Sequence, residues 1–148
     1  MNGKEMREKL RNGERVYGTM MIVNIESVAA IEALDDILAV PGLDAILIGP
    51  HDLSCNLGIP EQYTHPRYIE AVDTIITKAR AKGLGAGNHI AYDNGMEQEI
   101  RWAKMGANLI VHSMDIGAFR NGMRRDLDAI KAALNEGGAG QKLENINI

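Results

Sequence analysis

Four short apolar runs, each ended by polar residues and followed by helical spacing, are the feature that most narrows the fold of this chain. The first, Val16 to Ile25, bears Gly18 and precedes a pattern in which Val28, Ile31, Leu34 and Leu38 recur at spacings of three and four. Ser27 stands as the N-cap of that helix and Pro41-Gly42 as its stop. The second run, Asp44 to Ile48, ends at Gly49-Pro50 and suits a strand buried on both faces of a parallel sheet. Residues 51–65 read as the longest irregular stretch, with Gly58 and Pro60 as breakers. Pro66 then opens a helix with Ile69, Val72, Ile76 and Ala79 on one face up to Gly83. Leu84 to Asn88 is the third strand, and Asp93 caps a helix carrying Met96, Ile100 and Ala103, closed by Gly106. Asn108 to Ser113 is the fourth strand. The last helix has the clearest stripe: Ile116, Phe119, Met123, Leu127, Ile130 and Leu134.

Repeated strand–helix units imply an α/β protein with helices packed on a parallel sheet. An open doubly wound sheet and part of a TIM-type (β/α)₈ barrel both satisfy this order. A complete barrel takes eight strands and roughly 250 residues; these 148 residues carry a helix at 3–12 and then four such units, half of what a barrel needs. No linker interrupts residues 1–135, which are expected to form a single domain, while the glycine-rich polar tail 136–148 is expected to fray. The net charge of −4 argues against nucleic acid or an anionic membrane as partner, since both call for a positive surface. The charged start reads as a helix rather than a signal peptide, and the single cysteine, Cys55, fits a reducing cytoplasm. With aromatics at 4%, the core must be built from aliphatic residues, alanine and methionine.

In either architecture ligands bind at the C-terminal ends of the parallel strands. Polar residues gather there: Asn24 and Glu26 after the first strand, His51 and Asp52 after the second, Asn88 and His89 after the third, His112, Ser113 and Asp115 after the fourth. Glu26 and Asp52 lie 26 residues apart, one strand–helix unit, so neighbouring strand ends would bring both carboxylates to one rim. Two carboxylates with open positions suit a hard divalent cation such as Mg²⁺ or Mn²⁺. The plainer alternative has Glu26 capping the next helix and Asp52 fixing the turn after Pro50. His51 reads as a base, a partner of a ligand-holding residue, or simply a loop residue. His89 and His112 either line the pocket or are satisfied interior histidines, and His65 reads as a surface residue. Gly83, Gly85 and Gly87 do not make a dinucleotide loop, because position 90 is Ile90 and the run does not open the first unit. Cys55 shows no activating neighbour and is expected to be inert.

Several blocks together resemble the HpcH/HpaI aldolase family. They are Met21-Ile22-Val23-Asn24-Ile25-Glu26-Ser27-Val28, Val40-Pro41-Gly42-Leu43-Asp44, and above all Ile48-Gly49-Pro50-His51-Asp52-Leu53-Ser54 followed by Leu57-Gly58. His65-Pro66, Gly85-Ala86-Gly87 and the segment from Trp102 to Val111 also fit, and Val16-Tyr17-Gly18-Thr19 is similar to the family's extreme N-terminus. The resemblance runs from about residue 20 to residue 134.

That likeness implies a metal-dependent aldolase or lyase acting on pyruvate-like 2-keto acids, with Mg²⁺, Mn²⁺ or Co²⁺ held by Glu26 and Asp52. It places Asn24 near the substrate carbonyl, and Gly49 with the backbone of His51 and Asp52 at the substrate carboxylate. The metal is then a Lewis acid that polarises the keto oxygen and stabilises an enolate. His51 is the expected catalytic residue, and Asn24, Gly49, His51, Asp52 and His89 the expected substrate-binding set. The family's beginning is joined here almost directly to its fifth strand, so no residue matches its catalytic histidine or its carboxylate-clamping arginine. Four parallel strands would leave two open edges, so a homo-oligomer is expected. A non-catalytic remnant that assembles or binds a partner is the alternative, and an open-sheet phosphate or nucleotide binder a third reading.

Overall fold

The computed structural model describes residues 3–92 and 95–135. The elements are α1 (Gly3–Arg11), β1 (Ile22–Asn24), α2 (Val28–Glu32), α3 (Leu34–Ile37), β2 (Ala45–Ile48), α4 (Pro50–Asn56), α5 (Pro66–Ala81), β3 (Gly85–Ile90), α6 (Met96–Met105), β4 (Val111–His112) and α7 (Asp115–Ala133). Strand order in the sheet follows chain order. Strands β1, β2 and β3 run parallel, with Val23, Ile46 and Ala86 level across them. This is an α/β fold. The described residues divide into two compact units, 3–90 with 95–111, and 91–92 with 112–135.

Side chains alternate across a strand, and the two faces of this sheet differ. Ile25, Ile46, Ile48, Ala86 and Ile90 point to one face and are buried. Helix α5 covers β2 and β3 on that side, and α6 packs against both α5 and β3. Val72, Ile75, Ile76 and Ala79 of α5 are buried, as the spacing requires. Three of the six aromatic residues meet at this seam, where Tyr68 packs edge-on against Trp102 at 6.3 Å and Tyr63 at 5.6 Å. Asp73 ties the two helices together by accepting from the Trp102 indole at 2.8 Å and from both Arg101 terminal nitrogens.

The other face carries Ile22, Asn24, Leu47 and Gly87, with Asn24 and Ile22 exposed. Gly87 has a reason to be glycine: a β-carbon there would collide with the Leu109 carbonyl, whose segment hydrogen-bonds to Ala86.

Several elements depart from the sequence expectations. Only Ile22–Asn24 of the run from Val16 is strand, because β1 has a partner on one side alone. Ser27 caps as expected, its Oγ accepting from the Ala30 amide at 3.1 Å, but the helix breaks at Ala33 into α2 and α3. Residues 51–65 are not irregular throughout: Pro50 occupies the first helical turn and α4 runs to Asn56. A proline at the first helical position is pre-organised for a helix and loses no hydrogen bond there. His65 does more than decorate the surface, since its Nδ1 accepts from the Arg67 amide at 3.1 Å and caps α5. The fourth strand shortens to Val111–His112, and the apolar stripe of α7 is exposed. Asp93 and the tail 136–148 lie outside the described residues. No helix of the described residues is long and apolar enough to cross a membrane.

Candidate functional site

The C-terminal ends of β1 and β2 bring Asn24, Glu26 and Gly49 together. Asn24 and Glu26 stand two residues apart at the end of β1, and the Asn24 amide donates to the Glu26 carboxylate at 3.3 Å. Gly49 follows β2, and a β-carbon on it would collide with the same carboxylate oxygen. The half-buried Glu26 side chain therefore lies over a backbone that has no side chain of its own. The plainer expectation for Glu26, capping the next helix, does not hold: Ser27 is the N-cap.

Gly49 is also the N-cap of α4, which places His51 and Asp52 in the first turn of that helix. Asp52 is exposed, and its main-chain carbonyl accepts from Asn56 at 3.1 Å. His89 follows Gly87 by two residues on β3, so alternation puts it on the face of the sheet that bears Asn24. Asn88 belongs to the other face, where it is buried and its amide donates to the Tyr68 hydroxyl at 3.1 Å. Its Oδ1 has no protein partner. His112 falls in the second unit and is exposed.

Among the described residues no group of three or more His, Cys, Asp or Glu side chains is placed to hold a metal ion. The two carboxylates at these strand ends differ: Glu26 is half-buried and held by an amide over a bare backbone, and Asp52 is exposed on the helix that begins there, a pair that would suit a hard cation keeping its waters. A groove of about 230 Å³ between α2 and α5, lined by Val28, Ile31, Leu57, Arg67, Ala71 and Thr74 among others, shares no residue with this rim.

The HpcH/HpaI aldolase/citrate lyase family profile matches residues 4–122. The chain belongs to this family. It is 33% identical over 115 residues to the 2-keto-3-deoxy-L-rhamnonate aldolase of Escherichia coli K12, an alignment that covers 78% of this chain and 42% of that enzyme. Among solved structures, the HpcH/HpaI aldolase of Desulfitobacterium hafniense DCB-2 superposes with a TM-score of 0.67 at 33% identity, covering 88% of this chain and 48% of the other. A Burkholderia cenocepacia J2315 family protein reaches 0.70 at 24% identity, covering 85% and 47%, and speaks for the fold alone. The chain thus spans less than half the length of the curated relatives it matches.

Family membership draws attention to the Gly49–Asp52 turn, and there the structure holds residues that sequence reasoning missed. Cys55 is not without a neighbour: its Sγ lies 3.8 Å from His51 Nε2, one helical turn away. On the other side of the ring, Nδ1 is 3.6 Å from a Glu61 carboxylate oxygen. The buried Ser54 hydroxyl donates to the His51 carbonyl at 2.8 Å and accepts from the Glu61 amide at 3.0 Å, joining the two segments. The i, i+4 spacing of His51 and Cys55 would have revealed the pair once Pro50 was read as the start of a helix.

Proposed function

We propose that this chain is a four-unit portion, about half, of a (β/α)₈ barrel, and that it acts as a metal-dependent carbon–carbon lyase on pyruvate-like 2-keto acids. The observation that carries this reading is the packing of Glu26 over Gly49 with Asn24 beside it, the strand-end arrangement that the family likeness implies. Glu26 and Asp52 would hold the divalent cation, Mg²⁺, Mn²⁺ or Co²⁺, which when bound supplies Lewis-acid polarisation of the keto group. Asn24 Nδ2 is a donor for the keto oxygen, and Gly49 with the backbone of His51 and Asp52 is assigned to the substrate carboxylate. His51 and His89 complete the lining, with His51 the residue assigned to proton handling. Of the lyase reactions open to such a site, oxaloacetate decarboxylation asks least, because it needs no base to take a hydroxyl proton.

The test is pyruvate formation from oxaloacetate with Mn²⁺, against the rate of the free ion. The wild-type chain should exceed that rate, and Glu26→Gln and Asp52→Asn should each fall to it. A wild-type rate equal to that of the free ion overturns the reading.

Self-association belongs to the same proposal. Ile116, Phe119, Met123, Leu127, Ile130 and Leu134 form a continuous stripe, each exposed, and a homo-oligomer would remove that surface from water. Sedimentation should show more than a monomer; a stable compact monomer at micromolar concentration would count against it.

A further inference from the structure

We infer that two copies of this chain close on each other, the β4 edge of each pairing with the open β1 edge of the other. The inference rests on the half-barrel reading above and names the surface and the partner that complete it. The sheet ends at β1 on one side and at β4 on the other. Along β1 the Met21 carbonyl accepts from the Asp44 and Ala45 amides, and the Ile25 amide donates to the Leu47 carbonyl. Successive residues of a strand turn their main-chain groups to opposite sides, so those of Ile22 and Asn24 face away from β2. That edge lacks the usual guards. Residues 16–25 hold no charged side chain and no proline, and Tyr17, Met20, Met21 and Ile22 are exposed. An unguarded apolar edge of this kind is a template for another strand.

The face of the sheet says which strand that is. Leu47 belongs to β2, flanked on both sides by other strands, yet it is only half-buried while Ile46 and Ile48 beside it are buried. Around it on the same face stand Ala45, Gly85 and Gly87, which fill little space. In a complete barrel this face is packed by layers of side chains contributed from around the ring, and four strands hold only part of each layer. A single foreign strand would satisfy the β1 edge and leave Leu47 uncovered. A second copy answers both needs at once: it brings a strand to each open edge, and its own uncovered face meets this one. Four strands and four make the eight that close a barrel. The exchange is reciprocal, so the pair is closed by a twofold axis and does not grow into a filament. The rim also depends on it. Asn24 and Glu26 stand at the end of an edge strand, bare on the side away from β2, and the second copy walls that side.

The test is cross-linking between the two edges. Met21 and Ile110 are exposed and stand just before β1 and β4. Met21→Cys and Ile110→Cys are made separately in the full chain carrying Cys55→Ser, so that each has a single thiol. The two are mixed dilute, concentrated, and treated with a short bismaleimide, with no metal or substrate present. A covalent dimer from the mixture, and from neither chain alone, is the expected result. No such dimer overturns the inference, and association through α7 alone would give that outcome. An equal yield from Met21→Cys by itself also overturns it, since β1 would then meet β1. A second measurement needs no variant. Raising the wild-type concentration from monomer to oligomer should slow amide hydrogen exchange at Ile22 and Asn24 by about tenfold or more. Unchanged exchange at both amides in an associated sample overturns the inference. Neither readout involves turnover, so a cross-linked pair that is inactive on oxaloacetate supports the inference and sinks the lyase reading alone.

Discussion

Helices α5 and α7 carry the same kind of apolar stripe and meet opposite ends. In α5, Val72, Ile75 and Ile76 are 0% exposed against β2 and β3. In α7, Ile116, Phe119 and Ile130 are 60%, 66% and 55% exposed. Helical periodicity decides which side chains share a face; it does not decide what that face is buried against. Full burial of one such side chain is worth about 1.5–3 kcal/mol. The α5 stripe therefore stabilises the fold of the single chain, whereas that of α7 holds its contribution in reserve for whatever covers it.

Truncation in the two helices should separate them most clearly. Ile75→Ala should cost roughly 2–5 kcal/mol, the lost burial plus the cavity left behind, read from urea unfolding. A cost below about 1 kcal/mol would mean that α5 is not packed as described. Tyr68→Phe keeps the ring but removes the partner of the Asn88 amide, leaving Asn88, already without a partner at Oδ1, unsatisfied at both ends. Its expected cost is about 1–3 kcal/mol. Ser27→Ala removes the α2 cap and should cost about 1 kcal/mol, with Ser27→Asp recovering most of it. Phe119→Ala in α7 should change the stability of dilute, monomeric chain by no more than about 0.5 kcal/mol. A loss of about 2 kcal/mol there would erase the contrast between the two helices.

The smallest effect expected is a pH dependence on the surface of the first unit. The Lys78 ammonium, hydrogen-bonded to Asp35 at 2.8 Å, holds that carboxyl below its ordinary value of 3.8. The folded state keeps Asp35 charged where the unfolded chain takes up a proton. Its contribution is therefore present above the unfolded value and is lost as pH falls through the lowered one. The pair is solvent-exposed, so the slope should be shallow and weaken with salt. Lys78→Gln should flatten the acid side of the stability curve; an unchanged curve would show that the pair contributes nothing.

The candidate site was legible where chemistry and chain position coincide. Asn24, Glu26 and Gly49 follow apolar runs in the sequence, and the structure brings them together because β1 and β2 pair in parallel and end on the same side. The Cys55 neighbourhood was illegible for a definite reason. With residues 51–65 read as irregular, His51 and Cys55 have no shared face, and Glu61 has no route to the ring. Pro50, read as the end of the second apolar run when it stood at the first turn of α4, concealed the whole cluster.

Local rules by themselves determined much of this molecule: the Ser27 cap, the helix opening at Pro66, the stop at Gly106, and the buried strand at Ala45–Ile48. These depend on dihedral preferences and on hydrogen bonds a few residues apart, which a linear pattern records. Tertiary structure alone decided that the first strand shrinks to Ile22–Asn24, that Gly87 is required by the Leu109 carbonyl, and that Asn88 turns toward Tyr68. It also decided that α5 is covered while the α7 stripe is exposed. Each of these depends on which distant segment comes within van der Waals or hydrogen-bond range, and that is set by the packing of the whole chain rather than by the spacing of residues along it.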